Sequence, residues 1–589
     1  MCGICGEIRF DGEIPIANEI AHITEQLEPR GPDTGGLFLQ DNVALGHRRL
    51  SIIDLSNKSI QPMVDSYEGI AIVFNGVIYN YKELRQELTK KGYRFFSNGD
   101  TEVIIKSYKE WGEDFANHFN GMFAFALWDR DKEQLVLARD RMGIKPLYYS
   151  KNQNSLRFSS TLPSLLAGGH INKNIDPVAL HHYMTFHSVV PAPRTIIEGV
   201  KKLPPATILT IQSDGTLNFR KYWQVEYEEK KSESLSFEES SELISQSLRN
   251  AVKRRLVADV PVGVLLSGGL DSSLIVGLLA QEGQSRLNTF SIGFETIGQE
   301  AGDEFKYSDV IAEKFQTTHH KIRVSSEELL QNLPSCIQAM SEPMVSHDNI
   351  GFYLLSREVK KYLKVVQSGQ GADEIFAGYH WYPPLLDESR GIEDYKALFF
   401  DRDHKEMTSV LNADYCNEDY SSQFAEENFD MPGAGLTINK ALRLDSTIML
   451  VDDPVKRVDN MTMAWGIEAR VPFLDHELVE AAAKIPAKHK VRSGGKYVLK
   501  EIARRIIPEE VIDRPKGYFP VPALKHIRGK HLELLKKTLS NEKSQNRNLF
   551  KHDYLSMLFD EPDKHITNLR GSKLWQIGLL ELWLQTHNI

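Results

Sequence analysis

Cysteine is the second residue of the chain, in the start MCGICGEI. Removal of Met1 would leave Cys2 with a free α-amino group, and an amine with a pKa of about 8 can act as general base for the adjacent thiol. One residue would then supply both the nucleophile and the base. Taken alone, Cys2 more often indicates a small buried hydrophobic side chain.

Two glycine-rich loops carry the other candidate chemistry. LLSGGLDSS and SGQGADE each follow an apolar run. Glycines let the backbone approach a phosphate, which hydroxyls and helix N-terminal N–H groups bind. The carboxylates of Asp271 and Asp373 would repel a phosphate unless Mg²⁺ lay between the carboxylates and the phosphate. LLSGGLDSS lacks the GK[ST] ending of a Walker motif, and each loop alone is also compatible with an ordinary strand-to-helix turn.

The elements that must position these residues change in character along the chain. Short β-like runs separated by turns predict an antiparallel α+β domain over residues 1–215. A polar stretch predicts a linker over 216–240, before an amphipathic helix. From 241 to 589, strands that alternate with helices predict an α/β domain with a doubly wound parallel sheet. The chain is expected to be mainly helical after Asp445.

Composition excludes several classes of protein. The chain has 589 residues, is 25% charged and carries a formal net charge of −10, which does not favour a nucleic-acid partner. The spacing of Cys2, Cys5, Cys336 and Cys416 fits neither a disulfide framework nor a zinc site, which indicates a reducing compartment. No signal peptide and no apolar run of about 18 residues is read, so we expect a cytoplasmic protein without a membrane partner.

Six motifs in the first part of the chain occur in a family order: RGPDTGG, GHRRLSIID, FNGVIYN, GDTEVI, GMFAFALWD and RDRMGIKPLYY. Together they resemble the glutaminase domain of class II, N-terminal-nucleophile amidotransferases. The resemblance implies stacked antiparallel sheets between helices. It also implies that Cys2 attacks the side-chain amide of glutamine, forms a thioester and releases ammonia.

The same resemblance assigns roles to four further residues. Asn75 and Gly76 would form the oxyanion hole, Arg49 would bind the α-carboxylate of glutamine, and Asp100 would receive its α-ammonium. In isolation, the last two would be interpreted as a surface arginine and a turn aspartate. The family usually has a glutamate where this chain has Val77, so a second acidic contact to glutamine is expected to be missing.

The second part resembles the ATP-pyrophosphatase domain of asparagine synthetases, through SGGLDSS, MTMAWGIEARVPFLDHELVE and GGKYVLKEI. The resemblance implies that Asp271 and Asp373 hold Mg²⁺ against the pyrophosphate of ATP. Lys496 would stabilise charge at the α-phosphate during adenylation. The positions that match ATP contacts are Leu265, Ser267, Gly268, Gly269, Asp271, Ser272, Ile292, Ser368 and Gly369.

The resemblance therefore implies an enzyme that uses glutamine, ATP and a carboxylate acceptor, with an internal passage for ammonia; a homodimer is left open. Gln370 replaces an acidic residue that asparagine synthetases usually have beside the adenylation site. In Gln370, Val77 and the segments HSVVPAPRT and GYHWYPPL, the chain resembles a variant branch, the N-acetylglutaminylglutamine amidotransferases. The expected acceptor is then a blocked dipeptide without an α-ammonium, and the alternative is aspartate. A non-catalytic glutamine or nucleotide sensor is a third hypothesis, which the intact catalytic residues disfavour.

Overall fold

Two antiparallel sheets of six strands each form the first part of the chain in a computed structural model. The structure describes residues 2–227, 234–296, 302–387, 389–514, 521, 524 and 527–589. Met1 lies outside the described residues, so its removal remains a prediction.

The first twelve strands of the chain are divided between the two sheets, six in each. The strands are β1 Gly3–Arg9, β2 Thr34–Gln40, β3 Val43–Arg49, β4 Met63–Asp65, β5 Ile70–Ile78, β6 Gly121–Asp129, β7 Gln134–Arg139, β8 Tyr148–Lys151, β9 Ser155–Ser159, β10 Lys201–Lys202, β11 Thr207–Gln212 and β12 Leu217–Lys221. The first sheet has the order β10-β8-β9-β1-β3-β2, and the second has the order β12-β11-β7-β6-β5-β4.

Apolar side chains pack between the two sheets and cover their outer faces. Ile4 and Leu45 of the first sheet share one buried cluster with Val73 and Ala126 of the second. The helix Ala17–Gln26 packs on the outer face of the first sheet, through Ile20 and Ile23. Two further helices, Tyr81–Lys90 and Thr101–Trp111, cover the second sheet. The result is the predicted arrangement of stacked antiparallel sheets between helices.

A five-stranded parallel sheet organises the second part of the chain, as predicted. Its order is β15-β14-β13-β16-β17. The strands are β13 Val262–Leu265, β14 Asn288–Phe294, β15 Thr318–Val324, β16 Val365–Gln367 and β17 Glu468–Arg470. Because β13 lies between β14 and β16, the loops that follow β13 and β16 meet at one edge, where α/β sheets usually bind ligands.

Helices surround this sheet and form most of the chain after Asp445. The α-helices are Phe237–Arg254, Leu270–Gln281, Phe305–Lys314, Ser326–Gln338, Asp348–Val359, Ala372–Ile375, Ile392–Phe399, His404–Val410, Tyr420–Asp430, Thr437–Leu444, Lys456–Met463, His476–Lys484, Ala487–Val491, Tyr497–Ala503, Glu509–Ile512, Gly529–Leu539, Glu542–Arg547, His552–Asp560 and Lys573–Thr586. Among the described residues, no helix is long and apolar enough to cross a membrane.

The range predicted as a linker holds structure at both ends. Strand β12 pairs with β11, so the second sheet continues past residue 216. At the other end Ser236 caps the helix Phe237–Arg254 in a capping box with Glu239. Residues 228–233, in the middle of the predicted linker, lie outside the described part of the chain.

Candidate active sites

Cys2 lies directly before β1, at the wall of a small cavity. Arg49, Gly76 and Asp100 line the same cavity, so the structure brings together these residues predicted for glutamine hydrolysis. The cavity volume is about 30 Å³.

Asn75 contacts the candidate nucleophile directly. The backbone nitrogen of Cys2 donates to Asn75 Oδ1 over 3.1 Å, so the atom that would become the α-amine is held in place. Within the described part of the chain, the buried Asn75 Nδ2 has no hydrogen-bond partner. An unused donor beside a nucleophile fits an oxyanion hole, where negative charge appears only during the reaction.

Gly76 and Asp100 are held tightly around this centre. A Cβ at Gly76 would lie 2.3 Å from the carbonyl oxygen of Met122, which explains the glycine. Asp100 Oδ2 accepts from the backbone nitrogen of Ile78 over 3.0 Å. Burial raises the pKa of Asp100 to about 6. A cationic ligand such as an α-ammonium would favour its ionised form.

Arg49 is oriented by main-chain carbonyl groups. Its Nη1 donates to the carbonyl of Ser56 over 3.3 Å, and its Nη2 donates to that of Asp54 over 2.5 Å. The guanidinium group is therefore fixed at the cavity wall, where a carboxylate can approach it.

Glu468 reaches the Cys2 cavity from the second part of the chain, and no sequence pattern had indicated this. It lies on β17 and lines the cavity together with Val77. Arg470 Nε donates to Glu468 Oε1 over 2.5 Å. Burial alone would raise the pKa of Glu468, but Arg470, with the chain N-terminus and Lys145, more than reverses this and lowers it. A carboxylate thus faces the cavity although the glutamate expected at position 77 is absent.

A second, larger cavity lies at the carboxyl edge of the parallel sheet. Its volume is about 640 Å³. With the exception of Gly268, every residue predicted to contact ATP lines it, as do Gln370, Asp373 and Lys496. Gly268 instead supports the loop: its φ is +75°, and a Cβ there would lie 2.6 Å from the backbone nitrogen of Ser308.

Two carboxylates and one ammonium group meet in this cavity. Lys496 Nζ lies 2.7 Å from Asp271 Oδ2 and 2.8 Å from Asp373 Oδ2. Burial lowers the pKa of Lys496, but the two carboxylates more than reverse this and raise it above its ordinary value. Two carboxylates that converge on one cation position have the donor chemistry that Mg²⁺ prefers, so these residues fit the predicted metal.

Several residues of the cavity were not singled out from the sequence. Asp348, Glu374, Tyr379 and Arg457 line it, and Tyr379 donates to Glu374 Oε1 over 2.8 Å. Burial, and then Asp373, raise the pKa of Glu374 to about 7. Because Glu374 is adjacent to Asp373 in the sequence, it could have been proposed as a residue of this cavity. Arg457 lies about 80 residues further along the chain, and only the fold brings it here.

A cavity with Cys2 in its wall and a larger cavity with Asp271, Asp373 and Lys496 lie in one chain, as a glutamine-dependent ligase with two reaction centres requires. Residues 1–223 match the family described as "Glutamine amidotransferase domain", and residues 243–585 match "Asparagine synthase". The chain belongs to the asparagine synthase family and is a glutamine-hydrolysing carbon–nitrogen ligase.

Curated relatives agree with this assignment over most of their length. "Asparagine synthetase [glutamine-hydrolyzing] 3" of Bacillus subtilis is 34% identical, over 88% of this chain and 87% of its own. "Asparagine synthetase B [glutamine-hydrolyzing]" of Escherichia coli is 29% identical, over 88% and 82%. "Amidase chry2" of Gibberella zeae is 30% identical, over 89% of each chain.

Proposed function

We propose that the chain makes an amide from a carboxylate, with glutamine as the ammonia source and ATP as the activating substrate. The meeting of Asp271, Asp373 and Lys496 at the edge of the parallel sheet, in the same chain as the Cys2 cavity, carries this proposal. The first site frees ammonia and the second consumes it.

In the first site, the Cys2 thiol attacks the side-chain carbonyl of glutamine, and its proton passes to the α-amine of the same residue. Asn75 Nδ2 and the backbone N–H of Gly76 stabilise the oxyanion. The intermediate collapses to a thioester, and ammonia leaves with the proton that the amine held. Water then cleaves the thioester and releases glutamate.

In the second site, the acceptor carboxylate attacks the α-phosphorus of ATP, and pyrophosphate leaves. Ser267 and Ser272 offer hydroxyls to the phosphates, and Lys496 stabilises the charge that develops at the α-phosphate. Asp271 and Asp373 would hold Mg²⁺, which would neutralise the departing pyrophosphate. Ammonia then attacks the acyl adenylate, so that AMP leaves and the amide forms.

Ammonia must travel between the two sites without meeting bulk water, where it would be protonated. Glu468 of β17 lines the first cavity, and β17 is hydrogen-bonded to β16, which leads into the loop of Ser368 and Asp373. This adjacency supports an internal passage along the β16–β17 edge of the sheet.

The identity of the acceptor separates two versions of the proposal. Gln370 supports a blocked dipeptide, because a neutral amide beside the adenylation site suits an acceptor without an α-ammonium. The relatives named asparagine synthetases support aspartate equally well.

Purified protein should therefore receive ATP, Mg²⁺ and glutamine with either aspartate or N-acetyl-L-glutaminyl-L-glutamine. We expect an amide and pyrophosphate from the dipeptide. Asparagine as the sole product would exclude the dipeptide version. Pyrophosphate from neither acceptor would favour a sensor that has lost turnover.

A further inference from the structure

We propose that a further cavity, beside the nucleotide cavity, binds the body of the acceptor. On this proposal the acceptor is a carboxylic acid of dipeptide size, with an amide N–H and an apolar portion. The inference rests on the proposed function, since it names the substrate class of the same site. The cavity has a volume of about 520 Å³.

The two cavities adjoin each other. Glu304, Asp348, Glu374, Tyr379 and Arg457 line both of them. The proposal places one end of the acceptor past these side chains, near Lys496 and Gln370 of the nucleotide cavity. This is the arrangement needed if a carboxylate is to reach the α-phosphate while the rest of the acceptor stays behind.

The size of the cavity and the aromatic side chains in its lining argue against aspartate as the occupant. Cavities of this volume hold drug-sized ligands, and aspartate would fill only a small part of it. Phe186, Trp381, Phe399 and Trp575 line the cavity, and the ring of Trp381 stacks on that of Tyr379 at 4.2 Å. Aromatic walls bind apolar or amide surface, and aspartate has little of either.

Asp401 supplies a buried acceptor for a hydrogen bond. Its Oδ2 lies 3.2 Å from His187 Nδ1 and accepts from Gln576 Nε2 over 3.3 Å. Within the described part of the chain, the buried Asp401 Oδ1 has no hydrogen-bond partner, and the residue lines the cavity. A buried oxygen of this kind requires a donor, which a ligand N–H would provide.

His187 is the neighbour of Asp401 that limits the choice of donor. Burial lowers the pKa of His187, but Asp401, together with Asp453, outweighs this effect and raises it. An amide N–H satisfies Oδ1 without adding a charge, whereas an α-ammonium would add a cation beside His187.

The backbone at this wall is held in an uncommon conformation. His187 and Ser188 have φ angles of +51° and +72°, in the left-handed region that residues other than glycine rarely adopt. Such conformations concentrate at ligand-binding sites. Gly571 allows the close approach of His187, because a Cβ there would lie 3.2 Å from His187 Cε1.

Filling the cavity tests the proposal. Leu569 lines it and is half-buried, so Leu569→Trp adds bulk without emptying the core. The matched control is Leu555→Trp, at a half-buried leucine that lines neither cavity. ATP–pyrophosphate exchange is measured with N-acetyl-L-glutaminyl-L-glutamine and with L-aspartate, and glutamine hydrolysis reports that each variant is folded.

We expect exchange with the dipeptide and a KM for it at least tenfold higher in Leu569→Trp, with the KM for ATP unchanged and Leu555→Trp unaffected. Asp401→Asn, which keeps the volume, should also raise the KM for the dipeptide. Exchange with aspartate alone, or a dipeptide KM that neither cavity variant changes, would overturn this inference and leave amide synthesis intact. Glutamine hydrolysis without exchange for either acid would overturn the proposed function itself, and the acceptor site with it.

Discussion

In the proposed mechanism, Asn75 contacts the nucleophilic residue with one atom and the intermediate with another. Its Oδ1 accepts from the Cys2 nitrogen, which turns Nδ2 away from that nitrogen and leaves it for the oxyanion. Burial raises the pKa of the Cys2 thiol, so the thiol is protonated at rest. The thiol therefore needs the adjacent amine as base. Cys2 and Asn75 together would supply the nucleophile, its base and a donor for the oxyanion.

Replacement of the nucleophile should separate the two activities. Cys2→Ala removes the sulfur that forms the thioester, so glutamine-dependent amide synthesis should fall to background. Synthesis from added ammonium salt should stay within about twofold of the unchanged protein, because the second site is untouched. Product formation with each nitrogen source is the measurement. Loss of both activities in a folded variant would contradict the division of labour between the sites.

Glutamine affinity should depend on the ionisation of Asp100. Its pKa of about 6 is raised by burial, so the carboxylate loses its charge as the pH falls through 6, and its contact to the α-ammonium is lost with it. The affinity should fall about tenfold from pH 7 to pH 5. Calorimetry on Cys2→Ala, which binds glutamine without cleaving it, measures this affinity.

Asp100→Asn in the Cys2→Ala background is the control for the same experiment. It should bind glutamine more weakly and show little change between pH 7 and pH 5. A pH dependence that persists after the Asp100→Asn change would assign the titration to another group.

At the scale of elements, the catalytic loops depend on their strands. SGGLDSS follows β13 and SGQGADE follows β16, and the parallel pairing of these strands places Asp271 beside Asp373. The sequence predicted both loops, because alternating strands and helices are a local pattern. It missed β12, because this strand has only five residues, none of them fully buried, and leads into the polar stretch that was interpreted as a linker.

Gly268 is predicted to be essential to the first loop. In Gly268→Ala, the new Cβ would lie 2.6 Å from the backbone of Ser308, on the neighbouring helix, so the loop or the helix must move. We expect the KM for ATP in pyrophosphate exchange to rise at least about tenfold, since both segments line the nucleotide cavity.

Gly283→Ala is the matched control for that variant. Gly283 has a φ of +80° but nothing within 4 Å of a built Cβ. The substitution Gly283→Ala should lower the free energy of unfolding by about 1–2 kcal/mol through backbone strain alone, and it should leave the KM for ATP unchanged. If the two variants have the same KM for ATP, the contact with Ser308 is unimportant.

At the scale of the molecule, buried charges join the two parts of the chain. Lys202 Nζ lies 2.7 Å from Asp452 Oδ1 and 3.1 Å from Glu342 Oε1. Arg30 and Lys145 both contact Asp459. None of these pairs could be predicted from the sequence, because their members lie 140 to 429 residues apart and each one, read alone in the sequence, looks like an ordinary surface charge. For the same reason the sequence did not place Glu468 in the Cys2 cavity.

Arg30 links the nucleophile to the second part of the chain. Its Nε donates to the carbonyl of Cys2 over 3.3 Å, and its Nη1 donates to Asp459 Oδ2 over 2.8 Å. Burial raises the pKa of Asp459, but Arg30 and Lys145 outweigh it, so the pKa is lowered and the carboxylate is ionised. A change at Asp459 should therefore be felt at Cys2.

Asp459→Asn should affect both stability and coupling. It leaves two buried cations without their counter-charge, which should lower the free energy of unfolding by about 3–5 kcal/mol. Because Arg30 also holds Cys2, glutamine-dependent synthesis should fall several-fold more than ammonia-dependent synthesis. Asp11→Asn removes a solvent-exposed pair with Arg9 and should leave the unfolding free energy nearly unchanged, because water screens such a pair. Urea denaturation and the ratio of the two synthesis rates measure these effects. An unchanged ratio in a destabilised variant would show that Arg30 and Asp459 hold the two parts together without positioning the nucleophile.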